Sequence, residues 1–106
     1  MLLCADEVIG GFGRTGEWFA HQYFGFEPDT LSIAKGLTSG YVPMGGLVLS
    51  KRMAEVLVEK GGVFAHGLTY SGHPVAAAVA IANLKALRDE GVVTRVDRKS
   101  TRLNSS

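Results

Sequence analysis

Short apolar runs that stop at a glycine or a charged residue recur along the first half of the chain. Residues 1–5, 30–34 and 46–50 form three such runs. A continuous apolar run of this length, bounded by turn residues, is typical of a strand buried on both faces, as in a parallel sheet. The pattern therefore predicts three strands in this part of the chain.

Two longer segments have helical patterning. Residues 51–59 place apolar side chains on one face, and residues 74–90 begin with a proline and are followed by Gly91, which suits a helix start and stop. The segment 75–82 is apolar on all sides, which predicts a buried helix. The aromatic segment 17–26 is compatible with a further short helix.

Strands that alternate with loops and helices define an α/β fold, for which we expect a mostly parallel sheet with flanking helices. Because so few elements leave the sheet edges open, residues 1–96 are expected to be part of a larger domain. Residues 97–106 change abruptly to a polar, basic composition. We interpret them as a non-native tail that resembles a translated sequencing adapter, or as a disordered terminus.

Composition limits the classes of partner and the cell compartment that we expect for this chain. The chain has 106 residues, is 46% hydrophobic and has a net charge of +1, so we expect one domain at most and no nucleic-acid partner. No apolar run approaches the roughly 20 residues of a membrane helix. Cys4 is the only cysteine; we expect it to be a small buried hydrophobic residue, in a reducing, cytoplasmic compartment.

Two charged residues follow the first two predicted strands. Asp6 comes after the first, and Lys35, followed by Gly36, comes after the second. In open α/β sheets the chemistry lies at the carboxyl ends of the strands. A lysine there can form a Schiff base and a carboxylate can hold a pyridinium nitrogen, the two contacts that pyridoxal phosphate chemistry most needs. The alternative for Lys35 is a side chain that simply extends into solvent.

Two further positions could complete such a site. Val8 faces the same way as Asp6 if the strand continues, and could pack on a cofactor ring; its alternative is ordinary core. Thr69 lies just before the helix predicted at 74, where a hydroxyl and free amides suit a phosphate. The alternative there is that Ser71 or a neighbour caps the helix.

Other sites are disfavoured. The pattern G-x-G-x-x-G at 11–16 matches a dinucleotide fingerprint. However, Asp6 and Glu7 would repel a pyrophosphate, and the required acid is missing from the end of the second predicted strand. The three histidines lack metal-ligand spacing, so we expect no metal.

Four blocks together resemble the class III aminotransferases, which are fold-type I pyridoxal phosphate enzymes. The blocks are DEVIGGFGRTG at 6–16, PD at 28–29, AKGLTSGY at 34–41 and TYSGHP at 69–74. The blocks match the family in order and spacing, and the resemblance extends over almost all of residues 2–96. Their sequences are most similar to the omega-aminotransferase branch, which includes the β-alanine–pyruvate enzymes.

The resemblance implies a role for each matching position. Lys35 would form the Schiff base and shuttle the proton, Asp6 would contact the pyridine nitrogen and Val8 would stack on the ring. Thr69 would bind the phosphate across a dimer interface, from the partner subunit. The parent protein would be a homodimer or a higher oligomer that transfers an amino group from an amine or ω-amino acid to a keto acid such as pyruvate.

Two alternatives remain open. One is an aminomutase or a decarboxylase built on the same scaffold, and the other is a truncated, non-catalytic product. Residues 1–96 would be part of the large cofactor-binding domain, and we expect the isolated chain to be poorly soluble and inactive.

Overall fold

In the computed structural model, which describes residues 1–96, three strands form one sheet in the order β1–β2–β3. They are β1 (Cys4–Asp6), β2 (Thr30–Ile33) and β3 (Gly46–Leu49). β1 and β2 are parallel, whereas β2 and β3 are antiparallel. The predicted α/β class is confirmed, but among the described strands the sheet is mixed rather than mostly parallel.

The connections explain the two pairings. A parallel pair needs a crossover of about a dozen or more residues, usually with a helix. Residues 7–29 provide one between β1 and β2, and they contain the short helix α1 (Ala20–Phe24). The link from β2 to β3 holds only a 3₁₀ turn, Lys35–Leu37, so the chain reverses and β3 returns antiparallel.

Two longer helices follow the sheet, α2 (Lys51–Lys60) and α3 (Pro74–Asp89). The hydroxyl of Ser50 caps α2 by accepting from the Met53 amide at 3.4 Å. His73 rather than Ser71 caps α3, because its ring Nδ1 accepts from the Ala76 amide at 3.4 Å. Both α2 and α3 lie within one residue of their predictions, because capping residues and apolar periodicity are local signals.

Burial differs from the prediction. The buried apolar side chains among the described residues are Ala5, Leu31, Leu37 and Ala80. Cys4 is exposed, so the prediction of a buried thiol was wrong. Among the described strands, β1 lies at the edge of the sheet, which leaves Cys4 uncovered.

Helix α3 is also less buried than predicted. Of its residues only Ala80 is buried, while Val75 and Ile81 are 59% and 55% exposed. A helix that is apolar all round needs neighbours on every side, and its main contact in the described chain is the turn Lys35–Leu37. That residues 1–96 form part of a larger domain stays a prediction, and the predicted tail 97–106 lies outside the described residues.

Within residues 1–96, no helix combines the length and the apolar character that crossing a membrane requires.

Candidate functional site

Asp6 and Lys35 lie at one edge of the sheet. Asp6 is the last residue of β1 and pairs with Ser32 of β2, and Lys35 follows Ser32 by three positions. Because β1 and β2 are parallel, their carboxyl ends meet at the edge where α/β folds bind ligands. Both side chains are exposed, and within residues 1–96 no ion pair joins them.

The backbone turns immediately after Asp6. Its Oδ1 accepts a hydrogen bond from the amide of Val8 at 3.2 Å, and Val8 is half-buried in a turn rather than in a strand. Val8 was predicted to face the same way as Asp6 if the strand continued. The strand ends at Asp6, so this condition is not met. A role for Val8 against a cofactor ring rests on the family resemblance alone.

Lys35 has a backbone conformation that side-chain-bearing residues rarely adopt. Its φ is 46°, in the left-handed region, and it begins the 3₁₀ turn Lys35–Leu37. Such a conformation costs on the order of 1–3 kcal/mol and is found preferentially at functional sites. A Cβ added at Gly36 would lie 3.0 Å from the Phe12 Cβ, so an aromatic side chain packs directly against the turn.

Two polar side chains that the sequence did not single out hold this turn. Thr38 is only 2% exposed, and its Oγ1 donates to the carbonyl of Val42 at 2.7 Å. Asn83 of α3 donates from Nδ2 to the carbonyls of Gly36 at 2.8 Å and Leu37 at 3.0 Å. The sequence feature that could have indicated Asn83 is its polar amide within an otherwise apolar stretch of the predicted helix.

A third unpredicted residue, Glu7, anchors the glycine-rich loop. It is 4% exposed, and its Oε2 accepts from the amide of His21 at 3.2 Å. A Cβ at Gly10 would lie 2.7 Å from Oε1 of Glu7, so a side chain there would displace the Glu7 carboxylate. The glycine pattern at 11–16 forms turns and does not open a helix, as a dinucleotide fingerprint requires.

Thr69 lies apart from the other candidate residues. It is exposed in the loop that precedes α3 and lines an open groove between residues 42–45 and 68–76. In the described part of the chain no hydrogen bond joins it to Asp6 or Lys35. Its predicted action from a partner subunit stays a prediction.

A carboxylate with a lowered pKa, that of Asp29, lies away from this edge. A hydrogen bond from the Leu3 amide, and then the Arg52 guanidinium, hold the pKa of Asp29 below its usual range. Asp29 precedes β2, so it is at the amino end of the strand and stabilises the fold rather than the candidate site. Within residues 1–96 no three His, Cys, Asp or Glu side chains are grouped to hold a metal ion.

Comparison with known proteins identifies the family of the chain. The family profile "Aminotransferase class-III" matches residues 1–106. The putrescine–pyruvate aminotransferase of Pseudomonas aeruginosa is 62% identical over 96 residues, which is 91% of this chain and 21% of that protein. The chain thus spans about a fifth of the length of this relative.

Solved structures give the same result. An (S)-enantioselective omega-transaminase from Thermomicrobium roseum superposes with a TM-score of 0.85 at 54% identity, over 89% of this chain and 21% of that one. An S-selective transaminase from Arthrobacter sp. superposes with a TM-score of 0.92 at 38% identity, over 99% of this chain and 22% of that one.

Proposed function

Because the chain belongs to the class III aminotransferase family, we propose that it is part of a pyridoxal-phosphate-dependent transaminase. Members of the family generally use this cofactor. The parent protein would transfer an amino group from an amine or ω-amino acid to a keto acid such as pyruvate. Residues 1–96 would form part of its large domain.

The residues at the sheet edge fit this cofactor chemically. Lys35 offers a primary amine for the cofactor's aldehyde, and Asp6 offers a carboxylate for its ring nitrogen. Within the described chain neither charge is neutralised by the other, so both remain available to a bound group. When bound, the cofactor supplies an electron sink for the charge that develops at the substrate carbon.

Lys35 would have two roles. Its Nζ would attach the cofactor and, once released by the incoming amine, would take a proton from the substrate carbon and return it two atoms further along, beyond the transferred nitrogen. Both roles require the amine to lie within hydrogen-bond reach of that carbon. The left-handed backbone at Lys35 (φ 46°) sets the direction in which the side chain leaves the sheet.

Asp6 would act through its charge. An ionised carboxylate beside the ring nitrogen keeps that nitrogen protonated, which favours electron flow away from the substrate carbon. The hydrogen bond from the Val8 amide to Oδ1 of Asp6 orients the carboxylate. The same bond leaves lone pairs on both oxygens for another donor.

Two further residue roles rest on the resemblance to the family. Val8 would pack on the ring, and Thr69 would bind the phosphate of the partner subunit's cofactor in a homodimer or higher oligomer. The exposed groove that Thr69 lines is open to such a partner. A cytoplasmic location rests on Cys4 being the only cysteine.

The observation that supports the proposal most directly is the parallel register of β1 and β2. It pairs Asp6 with Ser32 and so brings Asp6 to the edge at which Lys35 leaves the sheet. Asp29, which is at the other end of β2, does not share that edge.

The test uses a chimeric enzyme, defined as the P. aeruginosa relative with its aligned 96 residues replaced by those of this chain. The cofactor-loaded chimera is reduced with borohydride, digested and mapped. We expect the label on Lys35, loss of the label in Lys35→Ala, and normal labelling in the control Lys51→Ala on α2. A label on another lysine in the unmodified chimera would contradict the proposal.

The same chimera separates transamination from the alternatives. With an amine donor and pyruvate, we expect one alanine to form for each amine consumed. Release of carbon dioxide or an isomerised amine without alanine would instead indicate a decarboxylase or an aminomutase.

A further inference from the structure

The side chain of Asn83 links helix α3 to the turn that contains Lys35. Its Nδ2 donates to the carbonyl of Gly36 at 2.8 Å and to that of Leu37 at 3.0 Å. Gly36 and Leu37 directly follow Lys35, so Asn83 contacts the second and third peptide units after Lys35. These bonds join residues 46 and 47 positions apart.

A third bond fixes the orientation of the amide. The hydroxyl of Ser39 donates to Oδ1 of Asn83 at 2.5 Å. Since the two carbonyls need donors and the hydroxyl supplies one, the amide of Asn83 fits in one orientation only. Asn83 is half-buried, which strengthens these bonds relative to bonds in water.

The turn depends on support from outside itself. Lys35 and Ser39 both have left-handed backbone, with φ of 46° and 53°, which is unfavourable for residues with a side chain. The backbone bonds of the turn measure 3.1–3.3 Å, as expected for 3₁₀ geometry. The bond from Asn83 to Gly36 is shorter than any of these.

We propose that Asn83 is a positioning residue for Lys35. By binding the carbonyls of Gly36 and Leu37, it fixes the peptide planes that follow these two residues. It thereby holds the turn that Lys35 begins, and so the direction in which Nζ leaves the sheet. Asn83 touches neither cofactor nor substrate in this role. The inference rests on the proposed function of Lys35, and its test is designed so that the two can fail separately.

The variants are made in the chimeric enzyme. Asn83→Ala removes both donors, and Asn83→Asp keeps the shape but turns a carboxylate oxygen towards two carbonyl oxygens. Ser39→Ala keeps the donors and removes only the bond that orients them. Lys85→Ala, exposed on the same helix, is the control.

In Asn83→Ala we expect kcat to fall about tenfold, since small displacements of a reacting group have effects of this order or larger, with KM for the amine nearly unchanged. Asn83→Asp should lose more, and Ser39→Ala less. Asn83→Gln, which retains the donors on a longer arm, should recover part of the loss. The control should match the unmodified chimera.

A spectroscopic readout separates positioning from stability. The pH midpoint of the visible absorption of the lysine-bound cofactor should shift in the Asn83 variants, because the surroundings of Nζ change. A purely structural role would lower the unfolding temperature but leave this midpoint and kcat per loaded site unchanged, and that result would overturn the proposal. If Asn83→Ala does not fold, Ser39→Ala decides by the same criterion.

A measurement without cofactor completes the test. In the apo chimera, amide hydrogen exchange in residues 34–41 should be faster in Asn83→Ala than in Lys85→Ala. Exchange unchanged in that segment would overturn the proposal. Borohydride labelling of a lysine other than Lys35 would contradict the proposed function. If exchange were still faster in Asn83→Ala, the stabilisation of the turn by Asn83 would nevertheless be confirmed.

Discussion

Arg52 donates a hydrogen bond from Nη2 to Oδ1 of Asp29 at 2.8 Å. The other carboxylate oxygen of Asp29 accepts from the amide of Leu3, also at 2.8 Å. One carboxylate thus joins the residue before β1, the start of β2 and the first turn of α2. Its pKa lies below the usual range, chiefly because of the Leu3 amide and then Arg52.

This arrangement predicts how stability depends on pH. Since folding lowers the pKa of Asp29, its ionised form stabilises the chain above the ordinary carboxyl pKa of about 4. That contribution is lost as pH falls through the lowered folded-state pKa. Chemical denaturation of the apo chimera should therefore show Asp29→Asn less stable than the unmodified enzyme near neutral pH, with a difference that shrinks on acidification.

Asp89 provides the matched control for Asp29. It pairs with Arg88 at 2.9 Å, but both side chains are about two-thirds exposed, at 66% and 64%, and such surface pairs contribute little. Asp89→Asn should leave the denaturation midpoint nearly unchanged. A difference between Asp29→Asn and the unmodified chimera that grows as the pH falls would show that the sign is wrong.

The buried hydroxyl of Thr38 leads to a second prediction. Thr38→Val keeps the shape but leaves the carbonyl of Val42 without its 2.7 Å donor. We expect the free energy of unfolding to fall by about 1–3 kcal/mol, the usual cost of an unsatisfied buried group. Thr38→Ser, which retains the hydroxyl, should lose less. If Thr38→Val were as stable as the unmodified chimera in denaturation experiments, the hydroxyl of Thr38 would not stabilise the fold.

Much of the local structure follows from the sequence. Residues 30–34 were predicted as a strand and Thr30–Ile33 is one; residues 74–90 were predicted as a helix and Pro74–Asp89 is one. These predictions succeed because apolar runs, an N-terminal proline and glycine after the helix are local signals. The sequence also predicted that Asp6 and Lys35 lie at one edge of the sheet, because this placement requires only that β1 and β2 be parallel.

The rest depends on contacts between distant residues. The exposure of Cys4 and the left-handed backbone of Lys35 depend on which distant segments pack against these residues, not on their neighbours in the sequence. Asn83 shows this most clearly, because its partners Gly36 and Leu37 are 47 and 46 positions away. No local pattern relates an amide in an apolar helix to a turn so far upstream.

The close approach of Gly36 to Phe12 supports a third prediction. In Gly36→Ala the new Cβ would lie 3.0 Å from the Phe12 Cβ and 3.1 Å from Cδ2, so the ring or the turn must shift. We expect a loss of about 1–3 kcal/mol in the free energy of unfolding, typical of overpacking, together with a lower kcat because Lys35 is the adjacent residue.

Gly67→Ala is the control for Gly36→Ala, because a Cβ there would meet nothing within 4 Å. Its denaturation midpoint should match that of the unmodified chimera. If Gly36→Ala were as stable and active as Gly67→Ala, the turn would not be held as tightly as the structure indicates.

The two aspartates at opposite ends of the parallel strands give the sharpest test of the candidate site. Asp6 lies at the carboxyl end of β1 and Asp29 lies just before β2, so only Asp6 shares an edge with Lys35. Asp6→Asn removes the charge that would keep a ring nitrogen protonated, and kcat/KM for transamination should fall by about 100-fold or more. Asp29→Asn should change stability but leave kcat/KM of the folded enzyme near that of the unmodified chimera. Equal kinetic losses in the two variants would mean that the carboxyl edge has no special role, and the assignment of Asp6 would fall.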